Sequence, residues 1–473
     1  MPFDEGIQNQ LTAILALATL LFIVASALPR RISIGVLVLL IPFQAVETRF
    51  GTSSIILAYV VAIALVLRKE KIALPLLPQI VFLLLWYLIS MSAMHPSTYI
   101  HHGVYIFGLI SAFFVFWLGY DLAVRARSEL TVVNLFIVTN WLVAAYCVVQ
   151  LWLGPGERFV LFGIDEINMT RVRADGRLTG PFESAEISAQ YFVLMQFLIL
   201  HQFWYVRTSW VKWALGALLA LNMAFLVATG SRGEFLVLIG GGGLYLWLFK
   251  KRLGLGRTIA LAAGGALAIT ATALIVVNFT QFGNLFDRLQ ETEFTEQGIP
   301  DTRQNTWPAA WAQIVKDPII GHGPRLRFPL EDKQGVRYDH HEYIKYPHSL
   351  YLFLLFTVGV PGMLVFLWFL LSIMYRCWRA MSHFDSSPYY ADLARTGFLL
   401  VLLFLIEGIK IDQMRFNLAD YWHFFFALCG VFVASTARVA QTVREGQKET
   451  LRHQTNGRRN LAEEPALGYR TTE

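Results

Sequence analysis

Apolar stretches close to 20 residues long recur along almost the whole of this chain, and they limit what it can fold into. A helix needs about 20 apolar residues to cross the ~30 Å hydrocarbon core of a bilayer. Core helices of water-soluble proteins alternate polar and apolar faces, whereas these segments are apolar all round. Of the 473 residues, 56% are apolar and only 15% charged. The expected fold class is all-α: a polytopic membrane helix bundle.

Spans are expected near 10–28, 32–46, 52–67, 75–94, 101–124, 130–153, 186–205, 209–229, 232–249, 257–279, 348–374, 394–411 and 417–436, which makes 12 to 14 crossings. The first apolar run ends in Ala25-Ser26-Ala27, the small-x-small pattern of a cleavage site. Acidic residues precede it, however, and Arg30-Arg31 follow it. A signal peptide carries its positive charge in front, so the run reads as an uncleaved span with its N-terminus outside. Threading the chain from there puts Arg30-Arg31, Arg68 to Lys71, Arg125 to Arg127, Arg207 to Lys212, Lys250 to Arg252 and Arg376 to Arg379 on one side. That is the cytoplasmic side under the positive-inside rule, and one missed span would scatter the loops over both faces. The chain thus reads as a multi-pass protein of a bacterial inner membrane. Residues 1–437 form the transmembrane domain, and the charged segment 438–473 is expected to be a disordered cytoplasmic tail.

Two long loops, about 154–185 and 281–347, fall on the outer face, and long loops in a compact bundle are often functional. The second is expected to hold a helix. Asp301-Thr302-Arg303-Gln304 has capping-box spacing, Trp307, Trp311, Ile314 and Val315 make an apolar stripe, and Asp317-Pro318 stops it.

Several chemistries have no support. Cys147 and Cys429 lie in expected spans and Cys377 in a basic loop, with no CxxC pair for a disulfide framework or a thiolate zinc site. The net charge of +6 is accounted for by short orienting loops and does not signal nucleic-acid binding. No Ser-His-Asp elbow, P-loop or dinucleotide fingerprint is present, and no cofactor is expected. The glycine run 240–243 sits inside a span, where small residues let helices approach closely.

The residues able to carry chemistry gather on the outer face. Thr229-Gly230-Ser231-Arg232-Gly233-Glu234 is a tight turn opening a helix, with Ser231 and Glu234 at capping-box spacing. Arg232 adds a full charge to the positive end of that helix, which suits a phosphate or pyrophosphate. Snorkelling to lipid headgroups is the other reading of Arg232, and Glu234 reads chiefly as a cap. In Pro347-His348-Ser349-Leu350-Tyr351, the histidine stands at a helix N-terminus that favours its neutral form. It is a general-base candidate, or a capping side chain. Arg303 stands in the second loop, as a ligand or as a solvated charge. Arg171, Arg173 and Arg177 in the first loop suit an anionic glycan, or lipid headgroups. Asp339-His340-His341-Glu342 matches no helix-borne zinc motif.

Taken in order, these motifs resemble a known family. Thr229-Gly230-Ser231-Arg232-Gly233 looks like its Ser-Arg-Gly turn. Arg303 with Trp307, Trp311, Pro318 and Gly321-x-Gly323 looks like its Arg…Trp…Pro…Gly-x-Gly loop segment, and His348-Ser349-x-Tyr351 followed by Gly359-Val360-Pro361-Gly362 looks like its His-Asn-x-Tyr…Gly-Ile-x-Gly helix. The family is the O-antigen ligase and Wzy polymerase superfamily, and the match covers about 170–375. Ser349, Pro361 and Glu183 depart from its pattern, and none of these is an arginine or the histidine of interest.

The resemblance implies a GT-C-type fold and a metal-independent, inverting glycosyl transfer. The donor would be an undecaprenyl-pyrophosphate-linked glycan. Arg232 and Arg303 would bind the pyrophosphate and His348 would activate the acceptor hydroxyl. Arg171, Arg173, Arg177 and Tyr351 are the further substrate contacts expected. Polymerisation of O-antigen or exopolysaccharide repeat units, with a chain-length regulator as partner, is preferred, and ligation of polymer to lipid A-core is the alternative. A transporter would instead place ionisable residues near the midplane, where Glu407 and Lys410 are the nearest to qualify.

Overall fold

A computed structural model describes residues 22–43, 47–48, 51–93, 99–126, 129–154, 177–182, 184–279, 306–323, 347–383, 385–415 and 418–462. Its helices are α1 (Arg30–Leu40), α2 (Ser53–Leu67), α3 (Leu77–Met91), α4 (Tyr99–Val124), α5 (Glu129–Leu153), α6 (Ala185–Tyr205), α7 (Ser209–Ala228), α8 (Arg232–Phe279), α9 (Thr306–Ile314), α10 (Leu350–Met381), α11 (Pro388–Glu407) and α12 (Ala419–Ala462). Between α1 and α2, a two-residue strand pair sets Glu47 opposite Thr52 and Thr48 opposite Gly51, antiparallel. The fold is the expected polytopic helix bundle, and among the described residues seven helices are long and apolar enough to cross a membrane.

The expected spans fall on these helices, apart from the first, most of which lies outside the described residues; α1 ends at Leu40, short of the expected 46, α10 runs on to Met381, past the expected 374, and α11 begins at Pro388, ahead of the expected 394. Pro78 and Pro388 stand in the first turns of α3 and α11, where a missing N–H leaves no bond unmade. Two expected spans, 232–249 and 257–279, are the two arms of α8, which breaks at Gly254 with φ 71°. The last helix runs on to Ala462, well beyond the expected span limit near 436.

α6 falls outside the seven for a physical reason. It carries Gln190, Gln196, His201 and Gln202, and nearly every side chain on it is buried among neighbouring helices. Gln196 donates to the Leu219 carbonyl at 3.1 Å and Gln202 to Asn134 at 2.6 Å. A helix shielded from lipid on all sides can hold amides that a peripheral one cannot. α12 is the other central element. Gly430 and Gly119 set its distance from α4: a Cβ on Gly430 would lie 2.1 Å from the Phe116 carbonyl oxygen, and one on Gly119 2.4 Å from that of Ala427. The periphery is apolar outward, with Phe82, Leu88, Trp368 and Leu371 each about half exposed.

Some local expectations are corrected. Cys377 is not in a loop but buried within α10. Of the 240–243 glycines only Gly241 packs closely, against Leu403 and Phe197; the others have nothing within 4 Å of a Cβ position. The buried face of α9 is Thr306, Ala310 and Ile314 rather than the tryptophan stripe, because that face meets Phe356 of α10, while Trp311 and Val315 point outward.

The Pro318…Gly321-x-Gly323 and Gly359-Val360-Pro361 motifs explain each other. α10 breaks at Gly359, whose φ is 64°, and Pro361 brings no N–H to the turn that follows. The carbonyls so released find partners outside the helix. His322 N–H donates to Phe356 O at 2.7 Å and Gly323 N–H to Thr357 O at 3.0 Å. The Trp86 indole donates to Val358 O at 2.7 Å. In return, Val360 N–H donates to Pro318 O at 2.8 Å. A buried backbone group left unpaired is costly, and this exchange leaves none of these four unpaired.

Candidate active site

At one end of the bundle the beginnings of α6, α8, α10 and α12 meet the ends of α7 and α11. The 229–231 turn is short because Gly230 takes a φ of 62°. Its carbonyl at Thr229 accepts from Arg177 Nε at 2.8 Å, and Leu178 N–H donates to Ala228 O at 3.0 Å. The Arg177 guanidinium also pairs with Glu186 of α6 at 2.6 Å. Arg177, expected as a glycan contact, is therefore buried against protein partners and braces the turn from behind. Arg232 is the first residue of α8, half-buried.

Ser231 and Glu234 do meet, though not as the reciprocal capping box their spacing suggests. The Ser231 hydroxyl donates to the Glu234 carboxylate, while the Ser231 N–H goes to the Thr229 hydroxyl at 3.2 Å. The reason is a cation: Lys410 Nζ sits 2.8 Å from Glu234 and draws its carboxylate away from the backbone. The same lysine lies over Gly233, where a Cβ would meet its Nζ at 2.8 Å. Glu407 completes the group. It is fully buried, both its carboxylate oxygens lack a hydrogen-bond partner among the described residues, and Lys410 and Glu234 are within electrostatic reach. Lys410 thus pairs with the Glu234 carboxylate behind the Arg232 turn, with the buried Glu407 carboxyl group beside them.

The segment after α11 also holds the His348 side of the site. Leu350 N–H donates to Gly408 O at 2.7 Å and to Ile411 O at 3.0 Å, and Ser349 Oγ donates to Gly408 O at 3.4 Å. Tyr351 OH donates to Leu405 O at 2.6 Å, so the tyrosine expected to contact substrate anchors α10 to α11. From the other flank the Trp307 indole of α9 donates to Pro347 O at 2.8 Å. His348 itself is half-buried in the left-handed region, φ 48°. A non-glycine residue there costs roughly 1–2 kcal/mol, and such strain persists only where flanking contacts over-determine it. Here both neighbours are pinned.

The 407–411 turn therefore joins two motifs more than a hundred residues apart, with Lys410 on the arginine turn and Gly408 under the histidine. Glu407 and Lys410 are not midplane charges; they belong to this end. Sequence reading marked them only as exceptions, and the available signal was two ionisable residues at the end of an apolar span. Gln190 and Gln413, 3.4 Å apart in the same buried region, were missed altogether. Arg171, Arg173, Arg303, Glu183 and Asp339-His340-His341-Glu342 lie outside the described residues. Among the described residues no group of three or more His, Cys, Asp or Glu is placed to hold a metal.

Two comparisons with known proteins bear on this arrangement. A family model described as O-Antigen ligase matches residues 214–367, the stretch that includes Arg232, Arg303, His348 and the α10 break. An O-antigen ligase of Salmonella typhimurium is 29% identical over 232 residues, covering 47% of this chain and 53% of that protein. The chain thus spans about half the length of the curated relative it matches. The motif resemblance is supported over that stretch: residues 214–367 of this polytopic membrane protein match the O-antigen ligase family model, and about half of the chain is similar to a curated O-antigen ligase.

Proposed function

We propose that the chain is a membrane glycosyltransferase of the ligase type, moving a glycan from an undecaprenyl-pyrophosphate carrier to the hydroxyl of an acceptor such as lipid A-core, on the periplasmic face. The observation that carries the reading is the 407–411 turn, which holds the arginine turn and the histidine turn at one end of the bundle. Polymerisation of repeat units was the sequence-based preference. The ligase character of both comparisons moves the preference to ligation.

In the proposed step the acceptor oxygen attacks the anomeric carbon as His348 takes the hydroxyl proton, and the bond from that carbon to the pyrophosphate oxygen breaks. The electron pair leaves with the carrier, whose growing negative charge Arg232 and Arg303 offset. Attack opposite the leaving group inverts the anomeric centre. No metal is needed, because cationic side chains take the place of a divalent ion at the pyrophosphate. Lys410 pairs with Glu234 in the first turn of α8 and packs over Gly233, and Arg177 supports the turn from the far side. A general base contributes typically 10²–10⁴-fold, so His348→Ala is expected to lose turnover on that order. The test is reconstitution with a lipid-linked oligosaccharide and lipid A-core, comparing wild type with His348→Ala and Arg232→Ala. Movement of glycan to lipid A-core supports ligation, and lengthening on the carrier supports polymerisation. Full activity of either variant overturns its assigned role.

A further inference from the structure

The opposite end of the bundle is basic, and part of that charge is matched by carboxylates. Arg30 pairs with Glu70 at 2.9 Å and Asp121 at 2.7 Å, Arg125 with Asp121 at 3.0 Å, and both Arg252 and Arg395 with Asp392. Three arginines without such a match lie together. Arg376 and Arg379 at the end of α10 and Arg444 on α12 are exposed, and none has a carboxylate partner among the described residues. All three line one groove of about 630 Å³ between α3, α10 and α12, together with Gln79, Ser372 and His383.

What leads up to the groove identifies the ligand class. Leu364, Trp368, Leu371 and Tyr375 recur at helical spacing on α10 and are 45–61% exposed, with Phe82 of α3 beside Trp368 at 6.4 Å between ring centroids. This strip is apolar, faces outward from a membrane bundle, and ends where Arg379 lies 5.9 Å from the Tyr375 ring. An apolar track ending in a cluster of arginines without carboxylate partners matches an amphiphile with a long acyl chain and an anionic phosphate head. The geometry points to a binding site for an acidic phospholipid, its phosphate against Arg376, Arg379 and Arg444 and its acyl chain along α10. A guanidinium fork suits phosphate, and basic pockets between membrane helices are suited to such headgroups.

The site is far from the candidate active site and does not depend on the activity proposed for it. Native mass spectrometry of the full-length protein in detergent, titrated with phosphatidylglycerol, phosphatidylcholine or inorganic phosphate, tests the site. Each arginine near an anionic headgroup is worth about fivefold in affinity, so the three together give on the order of a hundredfold. Wild type should retain phosphatidylglycerol in preference to phosphatidylcholine, and the Arg376→Gln/Arg379→Gln/Arg444→Gln variant should lose that preference. Because these side chains are exposed and carry no structural ion pair, the variant should elute and melt like wild type. The single variant Arg444→Gln should show about a fivefold loss if the triple variant misfolds. Equal retention of both lipids, unchanged binding in the variants, or displacement of the lipid by equimolar inorganic phosphate would overturn the proposal. The last outcome would assign the groove to a free anion.

Discussion

Lys410→Met removes the ammonium from between Glu234 and Glu407 while keeping the bulk of its stem. The side chains of Glu234 and Lys410 are 3% and 20% exposed, and Glu407 is fully buried. Removing one partner of a buried pair costs roughly 3–5 kcal/mol, because a charge is left without compensation. Water reaching Lys410 puts this site at the lower end, about 3 kcal/mol. The double variant Glu234→Gln/Lys410→Met removes both charges, and the Ser231 hydroxyl can still bond the amide. It should lose only about 1 kcal/mol, so that about 2 kcal/mol of the single variant's loss is recovered. Purified protein in detergent, followed by tryptophan fluorescence on heating, should show an apparent midpoint about 5 °C lower for the single variant. The double variant should recover most of that loss. Lys410→Met melting with wild type, or the double variant melting below it, would refute the account of Glu234 as a carboxylate held by Lys410. In the reconstituted transfer assay the single variant should also lose turnover, since Lys410 lies over the backbone of the Arg232 turn.

Other substitutions probe the same framework. Gly359→Ala would put a Cβ 2.2 Å from the Ile319 carbonyl oxygen at a φ of 64°, so about 3 kcal/mol or more should be lost from strain and broken bonds together; Gly242→Ala, with nothing within 4 Å, should melt like wild type and serves as the control. Gly430→Ala should force α12 off α4, seen as a lower thermal midpoint and poorer recovery of folded protein on size-exclusion chromatography. Arg177→Met should destabilise by roughly 3 kcal/mol, since it removes the Glu186 pair and the bond to Thr229, and should lower kcat more than it raises KM for the lipid-linked donor. Chelation of divalent ions should leave turnover unchanged; strong inhibition reversed by added metal would point to Asp339-His340-His341-Glu342 as a metal site.

The amount of fold legible in the sequence follows from what lipid demands of a chain. A span must be apolar over a fixed length, so α4, α5 and α7 could be placed to within a few residues. α6 was found for the same reason, although its glutamines gave no hint that it would be buried on all sides. The apolar face of α9 was misjudged because tryptophan spacing does not say which side meets a neighbour; Ala310 and Ile314 do so because Phe356 is there.

The site divides along the same line. Arg232 and His348 were legible because each stands at a helix start beside turn-forming residues, which is local information. The sequence alone determined a membrane-spanning helical bundle and the motifs that carry its family resemblance. Only tertiary structure decided that Arg177 and Tyr351 brace the framework, that Lys410 and Glu407 stand behind the arginine turn, and that two glycine motifs forty residues apart close on each other. The physical reason is distance along the chain. Helix formation and membrane insertion read about 20 consecutive residues at a time. An ion pair between residues 234 and 410, or a helix break satisfied by a distant loop, exists only once packing has brought those segments together.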